Sequence, residues 1–124
     1  MPRILLAEDE EHIAKLIEFK LKREGYDIVL ASDGEIAITL LDKGPFDLVL
    51  LDVMMPHKDG WQVLEELRRR DNYKDTPVLM LTAKGHAEDY ENATKLGASG
   101  YIKKPFDPTI LFRRIEEVLR EKKS

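Results

Sequence analysis

Asp47-Leu48-Val49-Leu50-Leu51-Asp52-Val53-Met54-Met55-Pro56 is the stretch on which the fold turns. Four consecutive apolar residues between two acids fit a strand covered on both faces, because a strand with one wet face would alternate apolar and polar positions. Residues 78–81 have the same unbroken apolar character, and residues 4–7, 28–31 and 101–103 complete five strand candidates. Helical patterns separate them. Ile13, Leu16, Ile17 and Leu21 recur at helical spacing opposite Lys15, Glu18 and Lys22. Ser32 with Glu35 reads as a capping box for a second helix burying Ile36, Ala37, Leu40 and Leu41, stopped by Gly44 and Pro45. Asp59 and Gly60 open a third helix carrying Val63, Leu64 and Leu67. A fourth, over residues 87–96, has a thin apolar line of Tyr90, Ala93 and Leu96 and ends at Gly97. Asp107 as cap and Pro108 at the first helical position start a fifth, with Leu111, Ile115, Val118 and Leu119 facing inward. Five βα units are too few for an eight-stranded barrel, and right-handed crossovers can lay helices on both faces. The expectation is an open, doubly wound parallel sheet whose function sits at the carboxyl ends of its strands.

Composition narrows the function classes. The 124 residues suit one domain, residues 1–124. Twenty basic and 24 acidic side chains give a formal charge of −4, which argues against nucleic-acid binding by this domain, since the whole would repel a polyphosphate. The absence of cysteine excludes disulfides, thiolate zinc sites and cysteine nucleophiles. No apolar run reaches membrane-spanning length, and the first residues lack a signal-peptide core, so the expectation is a cytoplasmic protein without membrane contact.

The strand ends carry the chemistry. The first strand runs into Glu8 and Asp9, and the third ends on Asp52. Singly, the first pair reads as acids at a helix start and Asp52 as a strand terminator. If the two strands are neighbours, however, three carboxylates converge on one small volume. Such a cluster raises pKa values or requires a cation, and hard oxygen donors suit Mg²⁺. The fourth strand ends at Thr82, followed by Ala83, and the fifth is followed by Lys104 and Pro105. A hydroxyl and an ammonium beside a metal and carboxylate cluster complement a transferring phosphoryl group. Lys103 and Lys104 compete for the cation's role, and one should point away because side chains alternate along a strand.

These motifs, taken in order, resemble the receiver domain of the two-component response-regulator family along essentially the whole chain. They are Glu8-Asp9, Asp52 with Met55-Pro56 and Asp59-Gly60, Thr82-Ala83, and Tyr101 with Lys104-Pro105-Phe106. The resemblance implies a flavodoxin-like sheet of order 2-1-3-4-5 with five helices, as in the receiver protein that serves as a standard example of this winding. It implies that Asp52 accepts a phosphoryl group from the phosphohistidine of a sensor histidine kinase or phosphotransfer protein, or from a small acyl phosphate. Asp9 and Asp52 would hold Mg²⁺ through carboxylates, Met54 through its backbone carbonyl and Glu8 through a water. Thr82 and Lys104 would bind phosphoryl oxygens, with Lys104 preferred because it directly precedes Pro105 through a cis bond. Thr82 and Tyr101 would carry the switch to a downstream effector through the fourth helix, fifth strand and fifth helix. Met54 and Lys84 would govern the approach of water, giving a long-lived phosphoryl group.

Two departures stand out. The acidic pair is Glu8-Asp9 where many receivers have Asp-Asp, which preserves both carboxylates. In the DNA-binding subgroup the segment before the fifth strand is often Gly-Ala-Asp-Asp-Tyr, whose acids help form a symmetric dimer; here it is Gly97-Ala98-Ser99-Gly100-Tyr101, which weakens the case for that dimer. Rival readings lose on specific residues. An aspartyl-phosphate phosphatase or mutase often has a second Asp two positions after its nucleophile, where this chain has Met54. A flavin carrier would need a phosphate loop where Glu8, Asp9 and Glu10 stand. A receiver-like binding module without phosphorylation has no reason to keep every site residue. The expectation is a signalling switch and not a turnover enzyme.

Overall fold

The computed structural model describes residues 2–82, 87–104 and 107–123. In chain order the elements are β1 (Arg3–Ala7), α1 (Glu11–Arg23), β2 (Asp27–Ala31), α2 (Gly34–Leu41), β3 (Leu48–Asp52), α3 (Gly60–Arg69), a 3-10 turn (Asp71–Tyr73), β4 (Val78–Thr82), α4 (Ala87–Leu96), β5 (Gly100–Lys103) and α5 (Pro108–Lys123). The strands form one parallel sheet of order β2-β1-β3-β4-β5.

Strand periodicity divides the core into two layers. Leu5, Ala7, Val49, Leu51, Val78 and Met80 pack with Ala37 and Leu41 of α2 and with Val63, Leu64 and Leu67 of α3. Ile4, Leu6, Leu48, Leu50, Leu79, Leu81 and Ile102 face α1 and α5 on the other side, meeting Ile17, Leu21, Leu111 and Ile115. β3 and β4 are buried along their whole length, as their unbroken apolar sequence requires. The chain winds outward from β1 in both directions, and the change of direction leaves a crevice above the ends of β1 and β3.

Local capping departs from expectation at one helix. α2 is capped by Asp33, whose carboxylate accepts from the Ile36 N–H at 2.9 Å, and Ser32 is not the cap. A carboxylate complements the helix dipole as well as the free N–H groups, so the helix starts one residue later. With Gly34, Ala37 and Leu41 facing inward, Ile36 is left exposed. α1 similarly buries the small Ala14 with Ile17 and Leu21, and Leu16 faces outward. A reading that weighs large apolar residues misses an inward alanine. Asp59 and Gln62 form a capping box at α3, and Asp107 accepts from the Thr109 N–H at the start of α5. Gly97 ends α4 with a φ of +84°, the left-handed conformation that glycine reaches without a Cβ clash.

Candidate functional site

Parallel pairing builds the site. Ala7 lies opposite Leu51, so the next residue along β1, Glu8, comes beside Asp52, and Asp9 follows at the rim. Glu8, Asp9 and Asp52 each offer a carboxylate oxygen within 4.8 Å of the others. Asp52 pairs with Leu81, which puts Thr82 one step further along the neighbouring strand, and Thr82 pairs with Lys103. Lys104 then follows β5, its N–H donating to the Thr82 carbonyl at 2.6 Å.

Burial separates these groups. Glu8, Asp52 and Thr82 are 2%, 4% and 1% exposed, while Asp9 lies open to solvent. The Lys104 Nζ donates to Glu8 Oε1 at 2.7 Å and stands 3.2 Å from Asp52 Oδ2. Lys103 is exposed, so the alternation resolves which lysine faces the carboxylates. Glu10, which no motif singles out, reaches within 4.0 Å of the same ammonium, and its N–H donates to Glu8 Oε2 at 3.1 Å. The Met54 N–H donates to Asp52 Oδ1 at 3.3 Å, while the Met54 side chain is exposed. Gly60 completes the platform: a Cβ there would stand 2.4 Å from the Asp52 carbonyl oxygen, so only glycine lets α3 begin this close to the end of β3.

The electrostatics follow from crowding. Burial pushes the Asp52 carboxyl up to about 7, and the hydrogen bond and negative charge of Glu8 add to that rise, against the pull of Lys104. Burial also works against ionised Glu8, but hydrogen bonds with Asp52, Lys104 and the Glu10 N–H outweigh it and hold its pKa below the usual carboxylate range. Burial disfavours the Lys104 ammonium too, and the two carboxylates overcome this, raising its pKa above that of a free lysine. One ammonium therefore serves two buried carboxylates, with a third at the rim. The donor set is all carboxylate oxygen with no imidazole or thiolate, which fits a hard divalent cation such as Mg²⁺.

Tyr101 is half-buried beside the core under α2, α3 and α4, opposite Met80 in register. Ala83, Lys84, the Lys104–Pro105 bond, Phe106 and the side chain of Tyr90 lie outside the described residues.

A doubly wound sheet with charged residues gathered at its switch point defines a ligand- or group-accepting α/β domain. Its family is settled by comparison: the chain belongs to the response regulator receiver domain family, whose model matches residues 4–116. It is 40% identical over 124 residues to the transcriptional regulatory protein PcoR of Escherichia coli, covering all of this chain and 54% of that protein. It is 43% identical over 118 residues to a probable transcriptional regulator, ycf27, of Guillardia theta, covering 95% of this chain and 45% of that one. The chain thus spans about half the length of these curated relatives. Among solved structures it resembles the chemotaxis protein CheY4 of Vibrio cholerae (TM-score 0.91, 32% identity, 95% of this chain and 98% of that). It also resembles the receiver domain of the sensor histidine kinase PA1611 of Pseudomonas aeruginosa, solved with a magnesium ion coordinated in its active-site cleft (TM-score 0.87, 31% identity, 95% and 97% coverage). The chain is a receiver domain of two-component signalling, and among the described residues no helix is long and apolar enough to cross a membrane.

Proposed function

We propose that this receiver domain is a phosphoacceptor switch in which Asp52 takes a phosphoryl group from the phosphohistidine of a sensor histidine kinase or phosphotransfer protein, in a Mg²⁺-dependent reaction. The observation that carries the reading is the buried Asp52 carboxylate, set beside Glu8 and within 3.2 Å of the Lys104 ammonium. An oxygen of ionised Asp52 forms the new O–P bond as the P–N bond breaks, and the electron pair leaves on the imidazole nitrogen. Lys104 pairs with phosphoryl oxygens and the Thr82 hydroxyl donates to another, stabilising charge on the transferring group. Asp9 and Asp52 would hold Mg²⁺ through carboxylates, the Met54 carbonyl would provide a further ligand, and Glu8 would act through a water. When bound, the ion supplies the positive charge that one lysine cannot, offsetting the clustered carboxylates and the phosphoryl oxygens. The magnesium in the PA1611 receiver supports this assignment by similarity.

The output is a change of the face made by α4, β5 and α5. Phosphorylation draws the Thr82 hydroxyl toward the new oxygens, and the Tyr101 ring occupies the space released. A differential contact energy of about 1–3 kcal/mol would change a downstream effector's affinity about 5- to 150-fold. The domain acts as a switch, catalysing only its own modification and the loss of it. Incubation with acetyl phosphate and Mg²⁺ tests the reading by intact mass. The expected result is the addition of one phosphoryl group, prevented by chelator and removed by hydroxylamine; an unmodified protein would overturn it.

A further inference from the structure

Among the described residues, three α-helices are capped by an acid that accepts from its own helix: Asp33 from the Ile36 N–H, Asp59 from the Gln62 N–H and Asp107 from the Thr109 N–H. α1 is different. Its cap residue, Glu10, has extended backbone (φ −81°, ψ 106°) and a carbonyl that accepts from the Ala14 N–H at 2.9 Å, yet its carboxylate bonds no N–H of the helix. The side chain turns instead toward the sheet's end, where Oε1 stands 4.0 Å from the Lys104 Nζ with 52% of the side chain exposed.

The fold gains little from this arrangement. An exposed ion pair at such a distance adds little stability, and the Lys104 ammonium already has Glu8 Oε1 at 2.7 Å and Asp52 Oδ2 at 3.2 Å. A serine at residue 10 would serve the start of α1 better. What Glu10 supplies is a placed charge. Of the three carboxylates around the ammonium, Glu8 and Asp52 are buried and Glu10 is the exposed one. Glu11, the next acid along, lines a cavity of about 310 Å³ on the β2 side with Lys15, Leu30 and Ser32.

We infer that Glu10 is a specificity-determining residue for phosphoryl donors, its carboxylate beside Lys104 screening the site against free anionic phosphates. The inference rests on the phosphoacceptor reading of Asp52. Phosphoryl oxygens must draw the Lys104 ammonium from its carboxylates, and a small acyl phosphate arriving from solvent meets the Glu10 charge at that cation. A donor protein offsets the same repulsion with contacts made elsewhere on its surface. Discrimination by a repulsive element against the unwanted partner is a general device of specificity.

The test uses the full chain and two small donors, dianionic acetyl phosphate and monoanionic phosphoramidate, with the second-order rate constant of phosphoryl incorporation read by intact mass. Calorimetric titration with Mg²⁺ alone sets a saturating concentration for each variant. Glu10→Gln should raise the rate constant with acetyl phosphate about three- to tenfold at low salt, raise it less with phosphoramidate, and lose the gain as salt is added. Glu11→Gln, which removes a charge from the same helix start, should change it less. Glu10→Ser should match the glutamine variant in rate and also raise the urea midpoint of unfolding, because serine caps α1. An unchanged or lowered rate constant in Glu10→Gln would overturn the proposal, as would a gain equal for both donors, independent of salt, or reproduced by Glu11→Gln. A Glu10→Ser chain less stable than the unsubstituted one would also overturn it, by showing that the side chain serves the helix. Incorporation that ignores residue 10 removes this inference alone, whereas no incorporation from either donor removes the phosphoacceptor reading and this inference with it.

Discussion

Two part-buried cations in this domain live under opposite conditions. Arg68, at the end of α3, gives one nitrogen to the Tyr73 and Thr76 carbonyls at 2.8 and 2.7 Å and two others to the Gly97 carbonyl at 3.3 and 2.8 Å. Burial lowers its pKa, opposed by Asp75, but its planar fork meets fixed neutral acceptors on three loop positions. Lys104 sits instead between two buried carboxylates that it cannot neutralise together. Burial with every guanidinium nitrogen bonded to a neutral acceptor fixes structure, here the α3–β4 turn and the end of α4. Burial with surplus charge stores a demand for a further ligand, which is what a phosphoryl and metal site needs.

The largest expected effect breaks the second region outright. Asp52→Asn should abolish hydroxylamine-labile phosphoryl incorporation, because the amide is no nucleophile; full labelling of that variant would move the acceptor elsewhere. Next, Arg68→Met should destabilise the domain by about 1–3 kcal/mol in urea unfolding, since it leaves carbonyl groups at three positions without their donor. Arg68→Lys should recover only part of this, because a point charge cannot reproduce the fork. The opposite sign is expected at the strand ends. Without Mg²⁺, Asp52→Asn should raise stability by about 1 kcal/mol by removing one of the crowded charges. Mg²⁺ should stabilise the unsubstituted chain more than this variant. Equal stability losses in Arg68→Met and Asp52→Asn would erase the distinction between the two regions.

The same crowding sets a pH dependence. Asp52 titrates at about 7 in the folded state against an ordinary value of 3.8, so between these limits the folded state holds more protons than the unfolded one. Stability from this group is present below the ordinary value and declines as pH rises toward 7. Glu8, lowered, contributes in the opposite sense, so the comparison must be between the chain and Asp52→Asn under metal-free conditions. Their stability difference should widen from pH 5 to 7.5, and Mg²⁺ affinity should rise over the same range as the proton ceases to compete. A constant difference would show that Asp52 titrates normally.

Much of this was legible in the chain because strand chemistry is local. The apolar runs of β3 and β4 announce burial on both faces, and an acid or threonine directly after such a run must lie at the sheet's end. The convergence of Glu8 and Asp52 needed only the adjacency of β1 and β3. What stayed hidden depends on tertiary geometry. Arg68 looks like any basic residue in a last helical turn, and its carbonyl partners lie 5, 8 and 29 residues away. Tyr73, in the turn Asp71–Tyr73, donates its hydroxyl to the Leu41 carbonyl across 32 residues, a burial that no periodicity signals. The shift of the α2 cap from Ser32 to Asp33 rests on one side-chain hydrogen bond.

The central claim is that the crowded carboxylate at residue 52 is the one that takes the phosphoryl group. Borohydride reduction of the protein treated with acetyl phosphate and Mg²⁺ converts an aspartyl phosphate to homoserine, which peptide mapping then locates. The account predicts homoserine at position 52 and unreduced aspartate at position 9. Homoserine at position 9, or reduction at no aspartate in a sample shown by mass to carry the phosphoryl group, would contradict it.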